Sequence, residues 1–242
     1  MQGSNNHVKF NSAAYFSTPV WTADASVFLK TMLKLTDGYL KKTKKTVLAK
    51  AIKERDKKFN TKLEDFGLSN HSESFNSDPK AKEFVDFCGA RSYEFLDWCG
   101  FNISNHSLHF TECWVQEFSQ KGAGHHDIHT HWNQHVSGFY FLKCSDKTSM
   151  PVLHDPRPGA QMTRLPQKDG GKISFANEAV HYNVKPGTMV IIPGYTPHQY
   201  PVDMGLEPFR FIHWNIQAVP SSISKETSMK KKEWVGIKHK IK

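Results

Sequence analysis

The chain has 242 residues, of which 38% are hydrophobic, and its 17 Phe and 6 Trp supply enough aromatic mass for a substantial core. No run of 18 or more apolar residues occurs, which excludes a membrane-spanning helix, and the polar N-terminus lacks the pattern of a secretory signal. The four cysteines form no CxxC pair, so we expect reduced thiols in a cytoplasmic protein. Length and composition together predict a single domain.

The net charge of +9 is unevenly distributed along the chain. Residues 30–58 carry eleven Lys or Arg against three acids, and residues 225–242 carry seven against two. Residues 1–29 balance, so residues 59–224 sum to −4. We expect a solvated helix face and a basic tail; the alternative is a surface for nucleic acid or an acidic partner.

The first hundred residues have the pattern of helices. Residues 23–60 place apolar side chains at intervals of three and four until Gly38, and a polar loop is expected at 60–77. A second helix begins with Asp78 as its cap and Pro79 at its first position, and ends at Gly100. The apolar positions are Val27, Met32, Leu33 and Leu35 in the first helix, and Ala81, Phe84, Val85, Cys88 and Phe95 in the second.

From residue 107 the pattern changes to strands. The segments are short, rich in β-branched and aromatic residues, and separated by Gly, Pro and Asp turns. They read SLHFTECWVQEF, HVSGFYFLKC, MPVLHD, GKISFA, HYNV, GTMVIIP and PFRFIHWNIQAV. A mainly β fold is predicted, with N-terminal helices covering a β-sandwich or barrel.

Histidines are concentrated just before the second of these strands. Residues 125–135 contain five of the fourteen histidines. In an extended strand His129 and His131 project from the same face, and His198, after the segment MVIIPGYTP, is a candidate third ligand. Two ligands close in sequence and a distant third suit a metal site inside a β-barrel, with coordination positions left for substrate and oxygen.

Arg210 is the only arginine in the last predicted strand. Alternation places it on the opposite face to Phe211. A buried guanidinium favours a carboxylate that it can bind with two parallel hydrogen bonds. If Arg210 faces the barrel interior, that carboxylate belongs to a ligand; the alternative is a salt bridge with Glu112 or Glu117.

The ordered motifs resemble one known family. The segments HTHWNQHVSGFYF, LHDPRP, KPGTMVIIPGYTPH and FRFIHWN, within residues 107–217, are similar to the 2-oxoglutarate/Fe(II)-dependent oxygenases related to prolyl hydroxylases, of bacterial and phage type. The resemblance implies a double-stranded β-helix (a jelly-roll, cupin-like fold) with helices packed on one sheet. Within one domain it divides the chain into a helical support region (1–106), a catalytic core (107–220) and a basic tail (221–242). A phage-encoded protein would act in the host cytoplasm.

The resemblance also implies roles for the histidines and for Arg210. His129 and His198 would bind Fe(II), and Arg210 would bind the far carboxylate of the cosubstrate 2-oxoglutarate. Most family members have Asp or Glu where this chain has His131, so either the site has three histidines or the motif shifts to His125 and Asp127. The spacing from HTH to the Ser-Gly pair favours the first alternative.

Other residues would line the pocket. Arg157, next to Asp155, is a candidate for the substrate mouth or a structural turn, and Ser137 and Gln116 are candidates for the pocket wall. The implied activity is hydroxylation of a C–H bond with O₂ and release of succinate and CO₂. The primary substrate would be a protein side chain, a nucleic acid or a metabolite. The alternatives are a three-histidine cupin-type enzyme without 2-oxoglutarate, a zinc or nickel cupin, and a non-enzymatic β-sandwich binding module.

Overall fold

Two antiparallel β-sheets face each other in the computed structural model, which describes residues 11–223. One sheet has six strands in the order β1-β8-β5-β10-β3-β2, and the other has four in the order β4-β9-β6-β7. The strands are β1 (Trp21–Asp24), β2 (Ser69–His71), β3 (His106–Phe118), β4 (His126–His129), β5 (Val136–Lys143), β6 (Val152–His154), β7 (Ala179–His181), β8 (Thr188–Pro193), β9 (His198–Tyr200) and β10 (Arg210–Pro220). The predicted fold class, a double-stranded β-helix with N-terminal helices, is confirmed.

Helices cover the six-stranded sheet on its outer side. They are α1 (Leu29–Thr43), continued by a π-helical turn (Lys44–Leu48) into α2 (Ala49–Phe59), and then α3 (Lys82–Trp98). The short helix α4 (Pro158–Met162) lies elsewhere, between β6 and β7 of the four-stranded sheet. Single 3₁₀ turns, Ser26–Phe28 and Pro79–Ala81, precede α1 and α3. None of the helices between residues 11 and 223 is long and apolar enough to cross a membrane.

The second helix agrees closely with the sequence prediction, whereas the first does not. The Asp78 side chain accepts the Lys80 backbone N–H, as a cap should, and all five predicted apolar positions of this helix are buried. Gly38 does not interrupt α1, because the buried side chains of Met32 and Leu40 hold the helix on both sides of it. A single glycine costs a helix only about 1 kcal/mol.

Four further expectations were wrong. Residues 23 and 24 end strand β1 rather than begin a helix, and the expected loop at 60–77 contains β2. The N-terminal region therefore contributes two strands to the six-stranded sheet as well as helices. The segment GKISFA forms turns rather than a strand, and Val27 is exposed.

Strand β10 lies between two separate hydrophobic clusters. Its residues Ile212, Trp214 and Ile216 pack with the helices, while Phe211 packs between the two sheets together with Phe209, which precedes the strand. Both faces of the strand are therefore apolar and buried. This arrangement decides where the candidate site residues of β10 point.

The basic segment 30–58 forms α1, the π turn and α2. Every lysine in this segment is exposed, as expected for a solvated helix face. The tail 225–242, predicted to be basic and available to a partner, lies outside the described residues.

Candidate metal centre

Three predicted ligands meet where β4 and β9 pair. His129, the last residue of β4, is the register partner of His198, the first residue of β9. His131 follows two positions later, and its Nε2 lies 3.3 Å from Nε2 of His198. One ring nitrogen from each of the three histidines lies within 4.8 Å of the others. The fold thus brings together residues that are 67 positions apart in the sequence.

Backbone carbonyls fix the protonation pattern of two of these rings. Nδ1 of His129 donates to the carbonyl of Asp127 at 2.7 Å, and Nδ1 of His198 donates to that of Thr196 at 3.0 Å. Because a carbonyl can only accept, the proton of each neutral ring is on Nδ1. The Nε2 lone pairs of His129 and His198 are therefore available to a metal ion.

Two of the three clustered histidines, His131 and His198, stay neutral well below physiological pH. Burial, reinforced by the neighbouring histidines, lowers the pKa of His131 to about 3 and the pKa of His198 to about 4. Burial and His129 likewise lower the pKa of His126 to about 4. Neutral imidazole is the form that binds metals, so protons compete weakly for this site.

A fourth histidine forms the deep wall of the cluster. The His213 ring is fully buried and stacks on His131 with ring centroids 4.6 Å apart, and neither of its nitrogens has a hydrogen-bond partner. Its Nε2 lies 3.8 Å from a carboxylate oxygen of Glu112. Glu112, His131 and His213 form a second group of converging donor atoms. Sequence reasoning missed His213 as a site residue, although it shares a strand face with Phe211.

The shifted frame, His125 and Asp127, does not reach the cluster. The Asp127 side chain is 96% exposed, and its nearest described charged partner is His125 at 3.9 Å. Neither residue belongs to a group of converging donor atoms among residues 11–223. The structure assembles the HTH frame instead.

Arg210 does not face the barrel interior. Its predicted role, binding the carboxylate of a ligand, depended on that orientation. Its guanidinium bonds Glu117 at 2.7 Å and Asp37 of α1 at 2.6 Å. It lies on the helix-facing side of β10 because the bulky apolar residues Ile212 and Trp214, of the same alternation, pack against the helices. The alternative foreseen from the sequence, a salt bridge with Glu117, is the one observed.

The remaining candidates occupy two places. The buried Ser137 hydroxyl donates to Oδ1 of Asn215 at 2.6 Å, and Gln116 is buried with its Oε1 unpartnered. Arg157 binds Asp155 at 2.8 Å, and both line a pocket of about 400 Å³ whose wall also includes Thr196. Arg157 therefore combines both predicted roles, a turn held by its own arginine and a pocket lining.

The donor set fits a divalent metal but not the predicted mode of cosubstrate binding. Three imidazoles whose ring nitrogens converge within one small volume are good ligands for iron. Arg210 is the only buried Arg or Lys among the described residues, and its guanidinium points away from the cluster, towards α1. The buried side-chain atoms near the histidines that have no hydrogen-bond partner, such as the Tyr200 hydroxyl, belong to uncharged groups. Among the described residues, the site thus offers a carboxylate no buried guanidinium.

Residues 112–208 match the model of the family described as "Putative 2OG-Fe(II) oxygenase". The matched segment contains all three clustered histidines. The match confirms the resemblance predicted from the motifs for this segment of the chain. The description of that family names Fe(II) and 2-oxoglutarate (2OG). No curated protein matches the chain significantly.

Solved structures resemble the chain in shape. A Pseudomonas putida prolyl-4-hydroxylase is 10% identical, with a TM-score of 0.48, over 83% of this chain and 94% of that one. The viral collagen prolyl hydroxylase of Paramecium Bursaria Chlorella virus-1 is 13% identical, with a TM-score of 0.46, over 88% and 100%. A 2OG-Fe(II) oxygenase family oxidoreductase from Burkholderia pseudomallei is 12% identical, with a TM-score of 0.39, and this chain spans only 56% of its length. At such identities nothing about substrate follows.

Proposed function

We propose that this protein is a 2-oxoglutarate- and Fe(II)-dependent oxygenase that hydroxylates a C–H bond of its substrate and releases succinate and CO₂. The observation that carries the proposal is the convergence of His129, His131 and His198 at the junction of β4 and β9. The family match of the same segment supports the class of chemistry.

The chain's own residues would hold and orient the metal. His129 and His198 would bind it through Nε2, since the carbonyls of Asp127 and Thr196 hold their protons on Nδ1. His131 would complete the set from the position that usually carries a carboxylate. Bound iron supplies the activation of O₂, and the protein supplies the ligand geometry and a shielded site.

The primary substrate would enter through the pocket lined by Asp155 and Arg157. The Thr196 side chain forms part of its wall, only two residues before His198. The Arg157 side chain is partly exposed at this pocket although it is paired with Asp155. A polar or anionic group next to the reacting carbon would suit this rim.

The test is metal binding and turnover in single variants. His129→Ala and His198→Ala should each lose Fe(II) and the 2-oxoglutarate-dependent formation of succinate while remaining folded. His125→Ala is the matched control, since it removes an exposed histidine of the same segment that lies outside the cluster. Full iron occupancy in His198→Ala would refute the proposed site.

The position of Arg210 favours one second candidate. A three-histidine dioxygenase that does not use 2-oxoglutarate needs no guanidinium inside the barrel, and none is found there among the described residues. The same assay separates the two functions. Iron- and substrate-dependent O₂ consumption without succinate would establish the second.

A further inference from the structure

One amide, that of Asn215, connects the metal cluster to a carboxylate. Asn215 on β10 is the register partner of both Glu112 on β3 and Ser137 on β5. Its Oδ1 accepts the Ser137 hydroxyl at 2.6 Å, and its Nδ2 donates to Glu112. The same Nδ2 lies 2.8 Å from Nδ1 of His131. The amide is buried and contacts all three neighbours at once.

These contacts determine where the proton of His131 resides. The Ser137 hydroxyl donates to Oδ1 of Asn215, so the amide nitrogen Nδ2 faces the Glu112 carboxylate and donates one of its two hydrogens to it. The second hydrogen of that nitrogen then points at Nδ1 of His131, which must accept it. A neutral ring carries one proton, and in His131 it is therefore on Nε2.

The neighbouring histidine is arranged to receive that proton. Nε2 of His131 lies 3.3 Å from Nε2 of His198, and His198 has its own proton on Nδ1, bonded to Thr196. The Nε2 hydrogen of His131 thus has an acceptor. Each donor along the contacts from Glu112 through Asn215, His131 and His198 to Thr196 therefore meets an acceptor. His131 differs in this respect from His129 and His198, whose protons are on Nδ1, so that Nε2 carries no hydrogen.

A ring nitrogen that bears hydrogen cannot bind a metal. For His131 to bind through Nε2, its proton must move to Nδ1 and Asn215 must turn to present Oδ1. That turn brings Oδ1 against the Glu112 carboxylate, which is repulsive. Resting on the metal site proposed above, we propose that Asn215, held by Glu112 and Ser137, is a positioning residue that selects the tautomer of His131 and thereby limits the metal affinity of the site.

One substitution should raise the metal affinity of the site, although it removes a negative charge near the cation. Glu112→Gln replaces the obligatory acceptor with an amide that is able to donate to Oδ1 of the turned Asn215. Affinity for Co(II), used as an oxygen-stable probe, should rise by about tenfold or more, within the range found for partners of metal-binding histidines. Simple Coulomb attraction predicts the opposite, because a negative charge near the cation is removed. Glu112 acting as a ligand itself also predicts the opposite.

A second variant keeps the test independent of one substitution. In the double variant Glu112→Gln with Asn215→Asp, the new carboxylate accepts from Nδ1 of His131 and favours a free Nε2, so Co(II) should bind more tightly than to wild type. Asp127→Asn is the charge-matched control. It removes an exposed negative charge from the same region without touching the amide, and it should not raise the affinity.

The direct readout is the tautomer of His131 in the metal-free protein, measured by ¹⁵N NMR of labelled histidines. We expect Nε2–H in wild type and a shift towards Nδ1–H in Glu112→Gln. Nδ1–H in the wild-type protein, or unchanged or weaker Co(II) binding in both variants, would overturn the proposal. Because the tautomer is read without metal, it decides this proposal even if His198→Ala were to refute the proposed function.

Discussion

Replacing Arg210 should damage the stability of the fold rather than the metal site. In Arg210→Met the guanidinium is lost, and the Glu117 carboxylate, whose side chain is only 24% exposed, keeps just the weaker contact with Lys143 at 3.9 Å. Removing one partner of a buried pair typically costs about 3–5 kcal/mol. Asp37, 64% exposed, adds little because water solvates it.

Since Glu117 is only partly buried, we expect Arg210→Met to lower the free energy of unfolding by about 2–4 kcal/mol. Urea denaturation of the metal-free protein measures this loss. The double variant Arg210→Met with Glu117→Leu should recover most of it, because apolar groups of similar volume often replace a buried pair without loss. Co(II) affinity and the dependence of turnover on 2-oxoglutarate should not change. A tenfold weaker dependence on 2-oxoglutarate in the conservative variant Arg210→Lys, at unchanged stability, would refute the structural role.

Two further substitutions test the packing around the cluster. Burial holds the pKa of His213 well below its usual 6.5, so as the pH falls below about 6.5 the unfolded chain takes up a proton that the folded chain refuses, and stability is lost. His213→Phe should make this loss shallower between pH 6.5 and 5, by up to about 1.4 kcal/mol per pH unit in urea denaturation; an unchanged slope would contradict the assignment. Gly138→Ala places a Cβ 2.0 Å from the Trp214 ring and should cost about 1–3 kcal/mol, whereas Gly159→Ala, with nothing within 4 Å, should be neutral; equal effects in the two variants would contradict the packing.

The sequence predicted the clustered histidines because their signal is local. Alternation places His129 and His131 on one face, and the isolated His198 follows a strongly apolar strand. The antiparallel pairing of β4 with β9 then places His198 directly opposite His129. The strands β4 and β9 were not predicted as strands, since each has only three or four residues and contains polar side chains.

The side of β10 on which Arg210 lies could not be predicted from the sequence, for a physical reason. Alternation states which residues share a face, but it does not state which face is inside when both are apolar. In β10 both faces are buried, one by helices and one by the second sheet, and the pairing with β5 shifts by one residue between Arg210 and Phe211. The role of Asn215 was equally hidden, because it depends on partners 78 and 103 positions away.

The measurement that tests the central claim most directly is a crystal structure of the Fe(II)-loaded protein under anaerobic conditions, with anomalous scattering recorded at the iron edge. The account predicts one anomalous peak at about 2.0–2.2 Å from Nε2 of His129 and Nε2 of His198. A peak at Asp127 and His125 would contradict this account, and so would a protein that retains no iron at the three histidines.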